Sequence, residues 1–212
     1  MLTRLLIGAN ILVFVWTTSH NATASTDRLI QYGAFYGPLV QQGQWWRAFT
    51  CAFIHDGFLH IAFNMFALWQ IGTVVEQLFG TPAMGFMYVA SIVGSGWAIY
   101  HFNFLEPTIG ASGAIFGLFG ALVAAGLRLG KYGQQLVRNM LGIVLINVLL
   151  GFMIPNISQA GHLGGLVAGF LLGIILYRVP PHLRRPLAVQ VQSKGDPVEA
   201  ELLPPQAQPP HP

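Results

Sequence analysis

Residues Gly110–Arg128, GASGAIFGLFGALVAAGLR, hold the reading that decides the fold. No charged side chain occurs from Ser112 to Leu127, and the run closes on Arg128. Within it Gly113, Gly117, Ala121 and Ala125 recur every fourth residue, which places small side chains in one ridge along a helix. Near the end of the apolar part of the chain, Ala160–Tyr177 reads AGHLGGLVAGFLLGIILY and repeats the device with Gly161, Gly165, Gly169 and Gly173. Small-residue ridges are how helices approach closely when lipid, rather than water, is the solvent and burial of apolar surface no longer drives association. These two runs therefore read as membrane helices whose backbones can pack closely where such ridges face each other.

The rest of the chain agrees. Of 212 residues, 54% are hydrophobic and 8% charged, against roughly 25% charged in a soluble domain. Mean hydropathy is +0.58. A hydrocarbon core about 30 Å thick needs about 20 apolar residues per helix. On that basis the sequence predicts an all-α membrane protein, a bundle of six transmembrane helices. The spans are Leu5–Thr18, Phe58–Phe79, Pro82–Phe102, Ser112–Leu127, Val137–Ile154 and Ala160–Tyr177, the first being short. Gly57, Gly80-Thr81-Pro82, Gly130 and Pro155-Asn156 punctuate them. The long first loop, Ser19–Asp56, carries Trp45 and Trp46, suited to the membrane interface. Residues 1–178 form the membrane domain. The Pro-rich stretch at 179–212 lacks the apolar content to build a core and is expected to be a disordered cytoplasmic tail.

With both termini in the cytoplasm, Arg4, Arg128, Lys131, Arg138, Arg178, Arg184, Arg185 and Lys194 lie inside and only Arg28 and Arg47 outside. That bias matches the positive-inside rule. It explains the net charge of +3 without nucleic acid, for which no basic stripe with interleaved aromatics is present. Arg4, an apolar run and Ala22-Thr23-Ala24 could also be read as a cleaved secretory signal, but removing it would leave five spans and spoil the charge pattern. A retained first helix is preferred. Cys51 is the only cysteine, which excludes an intrachain disulfide framework, and no HExxH spacing offers a metal site.

Polar groups inside apolar runs are costly and often mark function. Four stand out: His60 and Asn64 in the second run, Ser112 opening the fourth, and His162 near the start of the sixth. Ser112 to Arg128 and His162 to Arg178 are each sixteen positions, about 24 Å of helix. The two side chains should lie at similar depth, below the outer surface. If the glycine ridges meet, a neutral His162 could take the Ser112 proton as the hydroxyl attacks a carbonyl. His60 and Asn64, four apart, share a helix face and could donate to the resulting oxyanion, together with the Ser112 backbone N–H. Each residue has a plainer reading: Ser112 as an N-cap, His162 as an interhelical hydrogen bond, His60 with Asn64 as a polar clasp.

Taken together, these residues resemble the rhomboid intramembrane serine proteases. Gly110-Ala111-Ser112-Gly113 resembles the family's GxSG motif, and His162, Gly165 and Gly169 its AHxxGxxxG motif. His60 and Asn64 match HxxxN; Gly72, Glu76 and Gly80 match GxxxExxxG; Trp46-Arg47 matches the first-loop pair. The resemblance implies a catalytic Ser112–His162 dyad and an oxyanion site from Asn64, His60 and the Ser112 N–H. It implies no metal and no cofactor, and cleavage of transmembrane protein substrates near their outer ends, after small residues, within a lipid bilayer. The bacterial cytoplasmic membrane is the expected host. Gly161 stands where the motif has Ala, and Phe116 where some members have Tyr. A catalytically inactive module that binds transmembrane helices, and a small transporter, are the competing functions. A transporter predicts polar groups through both halves of the membrane, whereas Asn64, Ser112 and His162 all fall in the outer half. His55 is expected to face the outer interface, Glu76 to be a structural hydrogen-bonding group, Arg47 an interfacial or loop-packing residue, Asn147 an interhelical hydrogen bond and Cys51 a small apolar residue. The sequons at Asn21 and Asn156 are treated as chance.

Overall fold

The protein is described by a computed structural model over residues 1–153 and 157–179. The expectations that fall on the Pro-rich tail, on Arg184, Arg185 and Lys194, on the Pro155-Asn156 break and on the Asn156 sequon lie outside the described residues.

The helices run α1 (Leu2–Ser19), α2 (Thr26–Gln31), α3 (Gly37–Gln41), α4 (Arg47–Thr50), α5 (Phe58–Ala67), α6 (Thr73–Phe79), α7 (Thr81–Phe102), α8 (Ser112–Arg128), α9 (Gln134–Met153) and α10 (Gln159–Leu176). A π-helical turn, Leu68–Gly72, joins α5 to α6 so that Phe58–Phe79 is one rod. Among the described residues the only strand-like feature is a single antiparallel bridge between Phe35 and Thr108.

Four of these segments are long and apolar enough to cross a membrane: Leu2–Ser19, Phe58–Phe79, Thr81–Phe102 and Gln159–Leu176. Two further apolar helices, Ser112–Arg128 and Gln134–Leu149, are shorter. The shortness of α8 has a packing reason. Every residue from Gly113 to Gly126 is buried, so α8 is solvated by protein and its length need not match the lipid. The lipid-facing surface of the other helices is as apolar as that solvent requires, with Leu12, Phe63, Trp69, Phe86, Leu145 and Ile175 all exposed.

The two glycine ridges do meet. A Cβ on Gly165 would overlap the carbonyl oxygen of Gly113, one on Gly169 the carbonyl of Gly117, and one on Gly173 would lie 2.8 Å from the Cα of Ala121. Backbone therefore touches backbone for three turns, the closest approach two helices can make. A second such contact sets Gly164 of α10 against the Gly94 carbonyl of α7. Helices α7, α8 and α10 thus form one close-packed trio. Ser91 and Ser95 of α7 fill the remaining space beside Gly117 and Gly113.

The first loop is organised by Arg47, which is buried rather than interfacial. Its guanidinium donates to the carbonyls of Ile30 and Ala34 and to Gln44 Oε1. At the opposite end of the bundle Glu76 accepts from the backbone N–H groups of Leu2 and Thr3 and from the hydroxyls of Thr3 and Thr81. A carboxylate at a helix N-terminus is favoured by the partial positive charge there. Glu76 is accordingly the structural group that ties α1 to α6. Asn147 bonds within its own helix, to the Ile143 carbonyl, and not between helices as expected.

Candidate active site

The site is assembled on the turn that opens α8. Gly110 has φ +112°, a conformation side-chain-bearing residues rarely adopt. A Cβ there would also lie 2.8 Å from His60 Nε2. The turn is held from below by the segment just before α5. The Gly110 N–H donates to the Cys51 carbonyl at 2.8 Å, and the Ala111 N–H to His55 Nε2 at 3.5 Å. Ala111, not Ser112, is the N-cap of α8, and no side chain caps that end. The N-cap reading of Ser112 therefore does not apply, and its hydroxyl is free for another partner.

That partner is His162. Nε2 lies 2.8 Å from Ser112 Oγ, although the residues are fifty positions apart in sequence. Two features place the imidazole. Ser158 caps α10, accepting from the Gly161 N–H at 3.1 Å, which fixes where the helix begins and which face His162 occupies. Phe116 then stacks on the ring, with centroids 4.1 Å apart and planes 9° from parallel. With Ser112 donating to Nε2, the imidazole proton sits on Nδ1. Among the described residues Nδ1 has no hydrogen-bond partner, and His162 is only 8% exposed. Among the described residues no carboxylate orients this histidine. The aromatic stack and the glycine-locked backbone hold it.

His60 joins the pair from α5. Its Nδ1 accepts from the Asp56 N–H at 3.3 Å, which leaves Nε2 carrying the proton. Nε2 is the atom beside Gly110, so a donor faces the turn before Ser112. Asn64 is buried one turn further along α5, and its Nδ2 donates to the His60 carbonyl at 2.9 Å. One of its two amide hydrogens is used within the helix, and among the described residues no hydrogen bond joins Asn64 to Ser112. At the start of α8 the N–H groups of Ser112, Gly113 and Ala114 precede the first intrahelical bond, which Ile115 makes to Ala111. Such unpaired donors with the positive end of the helix dipole form an anion-stabilising site.

His55 is a correction to the sequence reading. It is fully buried, not at the outer interface. Its ring meets that of His60 edge to face at 5.0 Å. It contacts the Phe53 carbonyl through Nδ1 and accepts from Ala111 through Nε2. Burial, reinforced by the neighbouring His60, pushes its pKa down to about 4. It is therefore a neutral bracket beneath the Ser112 turn. The only sequence signal was its position five residues before His60. Cys51, by contrast, packs with Phe35, Val40 and Ile99 as a small apolar residue, and burial pushes its thiol up to about 12. Among the described residues no cluster of His, Cys, Asp and Glu is arranged to hold a metal ion.

Comparison with known proteins agrees with this architecture. The chain matches the Rhomboid domain family over residues 42–179. It is 37% identical over 175 residues to Rhomboid protease GluP of Bacillus subtilis, covering 82% of this chain and 34% of that protein. It is 36% identical over 153 residues to Rhomboid-like protease 1 of Toxoplasma gondii, covering 69% and 52%. With RHOMBOID-like protein 5 of Arabidopsis thaliana it shares 33% over 163 residues, covering 74% and 52%. The chain thus spans a third to a half of the length of these relatives. Apolar helices of spanning length and the matched domain make it an integral membrane protein, and the chain belongs to the rhomboid family.

Proposed function

We propose that this chain is an intramembrane serine endopeptidase that cleaves transmembrane segments of membrane-protein substrates near their extracytoplasmic ends. The observation that carries the reading is the 2.8 Å contact between Ser112 Oγ and His162 Nε2. Ser112 Oγ attacks the scissile carbonyl carbon while His162 Nε2 takes its proton. The oxyanion is held by the Ser112 backbone N–H and the proton on His60 Nε2, with the spare amide hydrogen of Asn64 as a further donor. The imidazolium then protonates the leaving nitrogen, and an acyl-enzyme remains. Water, deprotonated by His162, attacks the ester and releases the new carboxylate. No cofactor and no metal enters these steps. Water must reach a site beneath the membrane surface, so the polar cluster lines a cavity open to the extracytoplasmic side.

In this reading α8 and α9 complete a six-span topology with both termini in the cytoplasm, in a bacterial cytoplasmic membrane. Arg128 at the far end of α8 marks the cytoplasmic boundary, which puts Ser112 in the outer half.

The test is cleavage of a model transmembrane substrate by the purified full chain in lipid. Ser112→Ala and His162→Ala should each lower turnover by roughly 10⁴-fold or more, since members of a catalytic unit are lost together. A fluorophosphonate should label Ser112 only when His162 is present. Undiminished cleavage by Ser112→Ala would end the assignment. Substrate binding without cleavage by the wild-type chain would favour an inactive helix-binding module.

A further inference from the structure

At the end of the bundle remote from Ser112, the hairpin between α8 and α9 lines an open cavity of about 530 Å³. Its walls divide by chemistry. Gly126, Leu127 and Val137 form an apolar side, and Lys131, Gln134 and Arg138 a polar side. The hairpin brings the carbonyl end of α8 and the N–H end of α9 together, so their opposed partial charges cancel to first order. The two side-chain cations then set the sign of the field.

Among the described residues nothing nearby neutralises them. The acidic residues outside the tail are Asp27, Asp56, Glu76 and Glu106. The first, second and fourth lie in the loops at the Ser112 end. Glu76 is committed to α1 and Thr81. Among the described residues no carboxylate forms an ion pair with Lys131 or Arg138. Among the described residues Arg138 donates to Gln135, and Lys131 sits over the ring of Tyr132. The larger groove between α7 and α10, about 680 Å³, carries no charged side chain at all.

We propose that the α8–α9 cavity binds an anionic phospholipid of the leaflet that meets this turn. The ammonium of Lys131 and the guanidinium of Arg138 hold the headgroup phosphate, Gln134 donates to its oxygens, and Leu127 and Val137 contact the acyl chain. A free phosphate would use only the polar wall. An amphiphile uses both, and basic pockets between helices at a membrane surface suit anionic headgroups. The site stands apart from the Ser112–His162 chemistry, so the outcome of either test leaves the other unaffected.

Native mass spectrometry of the full chain in detergent, titrated with phosphatidylglycerol or phosphatidylcholine, reads the site directly. Wild type should retain phosphatidylglycerol in preference to phosphatidylcholine. The double variant Lys131→Gln/Arg138→Gln should weaken phosphatidylglycerol binding roughly 30-fold, about fivefold for each cation lost near an anionic surface. Arg4→Gln/Arg178→Gln, which removes two cations elsewhere at the same end, should leave it within about twofold of wild type, short of the effect of even one lost contact. Both variants change exposed side chains, and matched thermal melts without added lipid confirm folding. Equal retention of the two lipids, or equal losses in the two variants, would overturn the proposal. Full displacement of phosphatidylglycerol by millimolar inorganic phosphate would overturn the lipid assignment in favour of a soluble anion.

Discussion

Two of the neighbours of helix α8 meet it in opposite ways. Against α10 it makes backbone contact over three turns, through Gly113, Gly117 and Ala121 facing Gly165, Gly169 and Gly173. Against α9 close contact is confined to the hairpin end, where a Cβ on Gly133 would overlap the Gly126 carbonyl and Val137 closes on Gly126. Beyond that, among the described side chains of α9, Met140 and Val144 are buried, while Leu141, Leu145, Ile146 and Leu149 are exposed. The first interface holds Ser112 and His162, 2.8 Å apart. The second holds neither. Positional precision comes from backbone contact, which has no rotamers to relax, and it runs along the interface that carries Ser112 and His162.

The largest expected effect attacks the α8–α10 contact. Gly165→Leu would drive a side chain into the Gly113 carbonyl and part the helices at the dyad. Since misplacement by about 1 Å costs roughly 100-fold, product formation from a model substrate should fall by at least that much. Ser112 should lose fluorophosphonate labelling while the protein still inserts in membranes. Full labelling would show that the ridge does not set the dyad.

A smaller loss should follow from removing the bracket under the Ser112 turn. His55→Ala leaves the buried Ala111 N–H without its acceptor, costing about 1–3 kcal/mol of stability, measurable as a lower melting temperature. The same residue has a pH signature. Its pKa falls from 6.5 unfolded to about 4 folded, so between those values the unfolded chain binds the extra proton. Its contribution is complete above pH 6.5 and is lost as pH falls toward 4. His55→Gln can keep both hydrogen bonds but does not titrate. The wild-type minus His55→Gln stability difference should therefore slope across that window and be flat above it.

Phe116→Ala removes the stack on His162. Aromatic stacking is worth about 0.5–1.5 kcal/mol beyond area burial, so turnover should drop about 2- to 10-fold from lost ring orientation. Phe116→Tyr should restore it, which separates a positioning role from simple loss of volume. The smallest effect belongs to α9. Gly142 has nothing within 4 Å of an added Cβ, so Gly142→Ala should raise stability by about 0.5–1 kcal/mol through helix propensity and leave cleavage unchanged. A cleavage defect there would mean that α9 bears on the dyad more closely than its contacts indicate.

Much of the site was legible because its signals are local. A hydroxyl and an imidazole each sixteen residues from a terminal arginine share a depth, and glycines every four residues announce which faces touch. The periodicity of the apolar runs likewise marked the helices to within about three residues of their observed ends. Chemistry and spacing along one chain determine those things, because lipid admits few ways to satisfy a backbone.

The tertiary structure alone decided the rest. It put His55 beneath Ala111, gave His60 its tautomer through Asp56, buried Arg47 among carbonyls of the first loop and set Glu76 at the head of α1. It also drew Lys131 and Arg138 to one cavity. In each case the outcome depends on which surfaces the folded bundle brings together and on how much room they leave. A side chain's burial and protonation follow from those neighbours, and no local pattern of residues encodes them.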